Sequence, residues 1–149
     1  MTAIILDVGE LLDFRKFRLI RRELNIEMRK ANREGVNAIA KFAKDMIQHG
    51  PRRTGTLRRT VGKGKKRRIR SSARGEWPKE DTKKLRRSIR TMRGDGLTSE
   101  IGSNLDYAAI LESPELDREH ITRAAREKEP FFQKLAERAV RRAIRRAGR

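Results

Sequence analysis

The chain has 149 residues, of which 39 are Lys or Arg and 20 are Asp or Glu, so its formal net charge is +19. Hydrophobic residues make up 36% and aromatic residues 5%, which allows a modest core and argues against an enzyme with a deep catalytic cleft. The absence of cysteine excludes disulfides, thiolate metal sites and cysteine nucleophiles. The charge favours a polyanion or an acidic protein surface as the partner.

The length accommodates one domain, and we expect a single unit over residues 1–149. The uninterrupted apolar runs, such as residues 3–6, are far shorter than the roughly 20 residues that cross a bilayer. No apolar signal-peptide core follows a basic start. We therefore expect a soluble, intracellular protein with no membrane partner.

The charge is unevenly distributed along the chain. Residues 1–49 carry +3, residues 50–93 carry +15, residues 94–133 carry −5 and residues 134–149 carry +6. A basic middle beside an acidic third segment suits self-association of copies of one chain, or DNA binding with the acidic part turned away. Charge alone leaves both interpretations open.

Residues 11–47 have apolar side chains at three- and four-residue steps, which predicts one face of a long α-helix or of two helices. Asn32 and Gly35 interrupt the pattern, and a bend is expected there because glycine costs about 1 kcal/mol relative to alanine in a helix interior. Gly50 and Pro51 predict where the helical region ends.

The middle of the chain predicts β-structure and a long loop. Residues 54–61 are β-prone, whereas residues 62–74 have almost nothing to bury and predict a basic loop that reaches to about residue 84. Residues 85–92 and 97–101 read as two strands around the turn at residues 94–96, which predicts a β-hairpin.

The last third predicts two helices. Residues 105–111 fit a short helix, residues 113–129 are polar and of uncertain form, and Pro130 is predicted to open a final amphipathic helix. The order of a long helix, a small antiparallel β-sheet and a C-terminal helix predicts an α+β fold.

Catalytic and metal-binding patterns are sparse. His49 and His120 are 71 positions apart and have no ligand spacing around them. Residues 62–65 lack the spacing of a nucleotide-binding loop. We therefore expect no enzyme activity, no cofactor and no metal.

A cluster of acidic side chains could hold a hard cation, but it lacks the Asx–Gly pattern of a calcium loop and reads as a solvated acidic loop. It consists of Glu112, Glu115, Asp117, Glu119 and His120.

The basic middle offers the strongest candidate binding residues, because closely spaced cations neutralise phosphates and release their counterions. A solvated charged face is the competing interpretation. Without interleaved aromatic residues the run fits a duplex backbone or an acidic protein better than a single strand. The candidates for this contact are Lys63, Lys65, Lys66, Arg67, Arg68, Arg70 and Arg74.

Further interface candidates lie outside that run. Trp77 and Tyr107 are isolated aromatics that read as core or interface residues rather than ligand platforms. The polar face of the final helix adds a set of arginines that we predict at an interface: Arg141, Arg142, Arg145 and Arg146.

Three motifs in order resemble the neck and tail-completion proteins of long-tailed bacteriophages, the head–tail joining family. SARGEWP at 72–78 followed by DTKKLRRSI at 81–89 is similar to the family's SAPGxxPxxDTGxLRxSI stretch. EIGSNLDYA at 100–108, with Glu112, is similar to its xIGSNxxYAxxxExG signature. EPFF at 129–132 resembles its RPFLxxAL ending, and PRRTGTL at 51–57 fits a PxxTGxL element of some members.

The resemblance implies an α+β domain with a long N-terminal helix, and copies that form a ring, commonly of six. That ring joins the head connector or head-closure protein to the tail tube or tail terminator protein, in the virion neck, after assembly in the host cytoplasm. The genome passes through it, so contact with double-stranded DNA is expected. Lys83 replaces a family glycine, and Ser113 and Pro114 replace Gly-Thr, so we expect the local turns to differ there.

Two functions follow as hypotheses. The first is a structural subunit in which the acidic residues 94–129 of one copy meet the basic residues 50–93 of its neighbour, a heterologous contact that can close into a ring. The alternative is a protein that binds nucleic acid without reading its sequence, through the basic loop and the final helix.

Overall fold

The computed structural model describes residues 14–62, 65–79, 83–94 and 97–148, with the backbone alone at Phe14, 58–62, 65–67 and 69. In chain order its elements are helix α1 (Phe14–His49), strands β1 (Leu57–Gly62) and β2 (Lys65–Arg70), helix α2 (Lys84–Ser88), strands β3 (Ile89–Arg93) and β4 (Ser99–Ser103), and helices α3 (Asp106–Glu112) and α4 (Ile121–Ala147). The predicted α+β class is confirmed.

Helix α1 is one continuous helix of 36 residues, without a break at Asn32 or Gly35. Gly35 faces the ring of Phe132 in α4, and a Cβ atom there would overlap that ring. The glycine is therefore explained by a close approach of two helices, and the single helix answers the choice between one helix and two. The helix ends before Gly50, whose N–H donates to the carbonyl of Met46.

Helices α1 and α4 pack antiparallel, because Glu27 of α1 contacts Arg146 of α4 while Gly35 contacts Phe132. Small residues line their seam: Ala31 packs with Leu135 and Ala139. Beside this seam Glu27, which is only 2% exposed, lies 2.6 Å from Arg146 and 3.0 Å from Lys30. The hydrogen bond from Lys30 lowers the pKa of Glu27; burial opposes this shift, and the charges of the arginines add to it.

Helix α4 begins at Ile121, nine residues before the predicted start at Pro130, which lies inside the helix. The carboxylate of Glu112 accepts hydrogen bonds from the N–H groups of His120, Ile121 and Thr122. These are donors that a first helical turn otherwise leaves without partners. The capping residue, Glu112, lies eight residues before His120 and is not part of the local sequence pattern. That pattern therefore predicts a helix start at Pro130.

The strands form two separate antiparallel hairpins, β1–β2 and β3–β4. The first corrects the predicted loop at 62–84, because residues 65–70 form a strand that pairs with 57–62. The prediction rested on the lack of apolar residues, whereas this hairpin is held by backbone pairing, which needs no buried face. Lys63 lies outside the described residues.

The predicted strand at 85–92 begins as a helix, since α2 occupies Lys84–Ser88 and β3 starts at Ile89. Lys83, directly before α2, has φ 61° and ψ 5°, the left-handed conformation that glycine adopts most readily. We expected this turn to differ from that of the family, because Lys83 replaces the family's glycine. The backbone at Lys83 nevertheless has a conformation that suits glycine.

The main core lies between the C-terminal half of α1, the second hairpin and α4. Its buried residues include Ile47, Trp77, Leu85, Ile89 and the fully buried Ala124. Through Trp77 and Leu85, the segment between the two hairpins is anchored to this core. Across the ranges that the structure covers, no helix is long and apolar enough to span a membrane.

Candidate basic interaction surface

The first hairpin, β1–β2, is rich in positive charge. Its two strands contact each other more than they contact the other described elements. Seven of its twelve strand residues are Lys or Arg. The register places Arg59 opposite Arg68. Like charges opposite each other destabilise a strand pair, so an anionic partner would relieve repulsion that the hairpin alone retains.

The foot of the hairpin is held by Glu76. Its carboxylate accepts hydrogen bonds from the Thr54 hydroxyl at 2.7 Å, the Thr54 N–H at 3.1 Å and the Ala73 N–H at 2.8 Å. The Ala73 N–H, followed by the Thr54 donors, lowers the pKa of Glu76. The two chain segments that enter and leave the hairpin are thus joined to one carboxylate.

Arg53 links the same foot to helix α1 from a buried position. Its guanidinium donates to the carbonyls of Met46 at 3.0 Å and Pro78 at 3.5 Å, and also to that of Pro51. Burial lowers the pKa of Arg53, and the charge of Glu76 opposes this shift. The hairpin therefore projects from a rigid base.

A cavity of about 320 Å³ opens between the end of α1 and the hairpin. We call it the basic cleft; among the described residues its lining has five basic side chains and no acidic one, with Ile47 and Leu57 as apolar wall. The basic residues are Arg52, Arg53, Arg68, Arg70 and Lys79. Among them Arg52, Arg68 and Lys79 have no ion-pair partner within the described residues, so their charge is available to a ligand.

The predicted polyanion-contact residues divide between this cleft and other places. Arg68 and Arg70 are exposed and line it. Arg74 is turned away to the Pro114 carbonyl, to which it donates at 3.2 Å. Three further candidates, Lys65, Lys66 and Arg67, have a backbone position on β2.

Sequence reasoning missed Arg52 and Lys79, since each stands outside the basic run. The packing of their segments around the foot brings them to the cleft.

The two aromatic candidates have different environments. Trp77 is 2% exposed, in an edge-to-face contact with Phe42 at 5.8 Å and beneath the guanidinium of Arg123 at 5.2 Å. It is a core residue, and its assignment as an interface candidate was wrong because the folded chain covers it. Tyr107 on α3 is 42% exposed, beside the 56% exposed Ile110.

The arginines of α4 are partly engaged within the chain. Arg146 pairs with Glu27 at 2.6 Å, Arg142 lies 3.9 Å from the same carboxylate, and Arg141 pairs with Glu137 at 2.9 Å. Arg145 has no ion pair with any residue that the structure describes. Fewer of these arginine charges are therefore available to another molecule than the sequence indicated, although the four side chains remain exposed.

The acidic cluster is only in part the solvated loop that the sequence predicts. Glu115 and Asp117 are exposed on the turn between α3 and α4, whereas Glu112, Glu119 and His120 have partners within the chain. Burial raises the pKa of Glu112, but the hydrogen bonds from His120, Ile121 and Thr122 outweigh it and lower that pKa to about 2. His120 is fully buried, with Nδ1 2.9 Å from Glu112, and Glu119 pairs with Arg126. No group of residues suited to a metal ion occurs in the described part of the chain.

Three exposed acidic residues lie on and just after α3, namely Asp106, Glu115 and Asp117. Asp106 and Glu115 are exposed and have no ion-pair partner among the residues described. Together with Tyr107 and Ile110 they form a surface that we call the acidic patch.

The comparisons with known proteins give no relative from which a role could be carried over. No protein-family model, no curated protein and no solved structure matches the chain.

Proposed function

We propose that the chain is a structural subunit of a bacteriophage neck, which associates with copies of itself and joins the head connector to the tail. The resemblance of its three motifs to the head–tail joining family supports this role. The proposal involves no chemistry on a substrate; binding surfaces carry the function.

The observation that carries the proposal is the basic hairpin on its rigid foot. Seven of the hairpin's twelve strand residues are cationic, and among the described helices and strands its backbone lies close mainly to its own two strands. Such an arm suits contact with another molecule. The left-handed backbone of Lys83, at the position of a family glycine, adds independent support for the resemblance.

Electron microscopy of lysates tests this role, with a phage in which the gene for this chain is disrupted and the intact gene supplied in trans as control. Filled heads and separate finished tails, rejoined on complementation, are the expected result. Normal infectious particles without the gene would contradict the proposal.

A second candidate function is duplex DNA binding without sequence readout, favoured by the basic cleft and the five basic side chains that line it. Binding to phosphates predicts an affinity that falls steeply with salt and is the same for unrelated sequences. Fluorescence anisotropy with two unrelated duplexes over a salt series measures both. Weak binding at low salt would exclude this candidate.

A further inference from the structure

We infer that the basic cleft of one copy receives the acidic patch of a second copy. The inference rests on the proposed self-association and names the two surfaces that would meet. It narrows the earlier expectation of a contact between whole segments 94–129 and 50–93, because several acidic residues of the first segment have partners inside the chain.

The acidic segment has fewer available charges than its sequence indicates. Glu112 caps helix α4, Glu119 pairs with Arg126 at 2.8 Å, and Glu127 pairs with Arg123 at 3.2 Å. Five acidic residues of this segment are exposed and have no ion pair with a described residue: Glu100, Asp106, Glu115, Asp117 and Glu129. Three of them, Asp106, Glu115 and Asp117, lie on or just after α3, so the available negative charge is densest there.

Apolar exposure coincides with those charges. Ile110 lies one turn after Asp106 on α3, so the two share a face, and Tyr107 is adjacent. Ile110 is 56% exposed although the chain has few large apolar residues to spare. An apolar centre with charges at its edge is the usual composition of a protein interface.

The basic cleft has the complementary composition. Leu57, which is 48% exposed, provides apolar contact, and cations surround it. A duplex backbone would use the cations but leave Leu57 without an apolar partner. The mixed lining therefore favours a protein surface over DNA.

The two surfaces belong to different elements of one chain, so their contact between copies is heterologous. Each copy then offers one cleft and one patch, and a chain of such contacts closes into a ring if the rotation allows it. This predicts that two variants with opposite defects complement each other, and that the unmodified chain, unlike a two-fold dimer, associates beyond the dimer.

The experiment measures the mass of the purified full chain by light scattering over a concentration series. One variant is Arg68→Glu with Arg70→Glu, which reverses charge in the cleft. The other is Asp106→Lys with Glu115→Lys, which reverses charge in the patch. We expect each alone to associate at least about tenfold more weakly than the unmodified chain.

Mixing is the decisive step. The cleft variant retains a native patch and the patch variant a native cleft, so an equimolar mixture is expected to regain the association that each variant lacks alone. Glu115→Lys alone, outside any helix, repeats the test without altering α3. Matched controls are Lys134→Glu and Glu129→Lys on α4, both exposed, which are expected to associate like the unmodified chain.

The outcomes separate the inference from the proposed function. Association that survives both reversals, or a mixture that remains monomeric, overturns the pairing of cleft and patch but not self-association. An unmodified chain that is monomeric at every concentration contradicts both. A cleft variant that loses affinity for a 20-base-pair duplex yet associates normally would assign the cleft to DNA and overturn the inference.

Discussion

The helix pair α1–α4 and the hairpin β1–β2 differ in the side chains that they contain and in how they are held in the fold. The helix pair uses small side chains, a glycine beneath a phenylalanine ring and a buried carboxylate between cations. The hairpin has a majority of like-charged residues and is joined to the rest at its foot. The difference teaches that stability and interaction are assigned to separate regions, so substitutions in each should have separable effects.

The largest expected effect is at the helix seam. Gly35→Ala should reduce the free energy of unfolding by about 1–3 kcal/mol, because the new methyl group overlaps the Phe132 ring. Helix propensity alone predicts the opposite, a gain of about 1 kcal/mol. Urea unfolding distinguishes them, and adding Phe132→Leu should recover part of the loss. A stabilised Gly35→Ala variant would show that the helices do not approach closely there.

The cap of α4 gives the next effect. Glu112→Gln should cost about 1–2 kcal/mol, because a neutral amide caps the first turn more weakly than a carboxylate. Thermal melting at neutral pH measures this loss, with the exposed Glu115→Gln as control.

The same group makes stability depend on pH. The pKa of Glu112 is depressed to about 2 in the folded chain and lies near its ordinary value of 4.5 in the unfolded chain. Its contribution is therefore present above about pH 5 and is lost as the pH falls towards 2. The difference in melting temperature between the unmodified chain and Glu112→Gln should shrink over that interval. A constant difference would contradict the role of the carboxylate.

A smaller effect of opposite sign is expected before α2. Lys83→Gly should stabilise the chain by up to about 1 kcal/mol, since glycine adopts the left-handed backbone at φ 61° without steric cost. Lys83→Ala serves as control, because it removes the same side chain and retains the Cβ atom. Equal melting temperatures for the two variants would contradict the conformational explanation.

The smallest effect on stability belongs to the hairpin. Arg68→Gln with Arg70→Gln should change the free energy of unfolding by less than about 0.5 kcal/mol, because both side chains are exposed. Association of the same variant should nevertheless weaken. Urea unfolding and light scattering on one sample provide both values. A large loss of stability would show that the hairpin belongs to the structural region after all.

Local sequence patterns predicted those elements whose structure is determined by residues close together in the sequence. The periodicity of α1, its end at Gly50 and the second hairpin follow from side-chain spacing and turn residues. Pro130 and residues 65–70 were misjudged because the deciding contacts, a cap from Glu112 and pairing with β1, come from elsewhere in the chain.

The sequence predicted the positive charge of the candidate site but not the cleft that the folded chain forms. Arg68 and Arg70 were found from the basic run, whereas Arg52 and Lys79 reach the cleft through tertiary packing. The burial of Trp77 could not be predicted either. It is an isolated aromatic residue in a polar segment, and the residues that cover it, Phe42 and Arg123, are distant in the sequence.

Hydrogen–deuterium exchange of the chain, at a dilution that favours monomers and at a concentration that favours assembly, tests the division between the two regions most directly. The account predicts added protection on assembly in residues 57–70 and around α3, with unchanged protection in α1 and α4. Protection gained along the α1–α4 pair, with none in the hairpin, would contradict it.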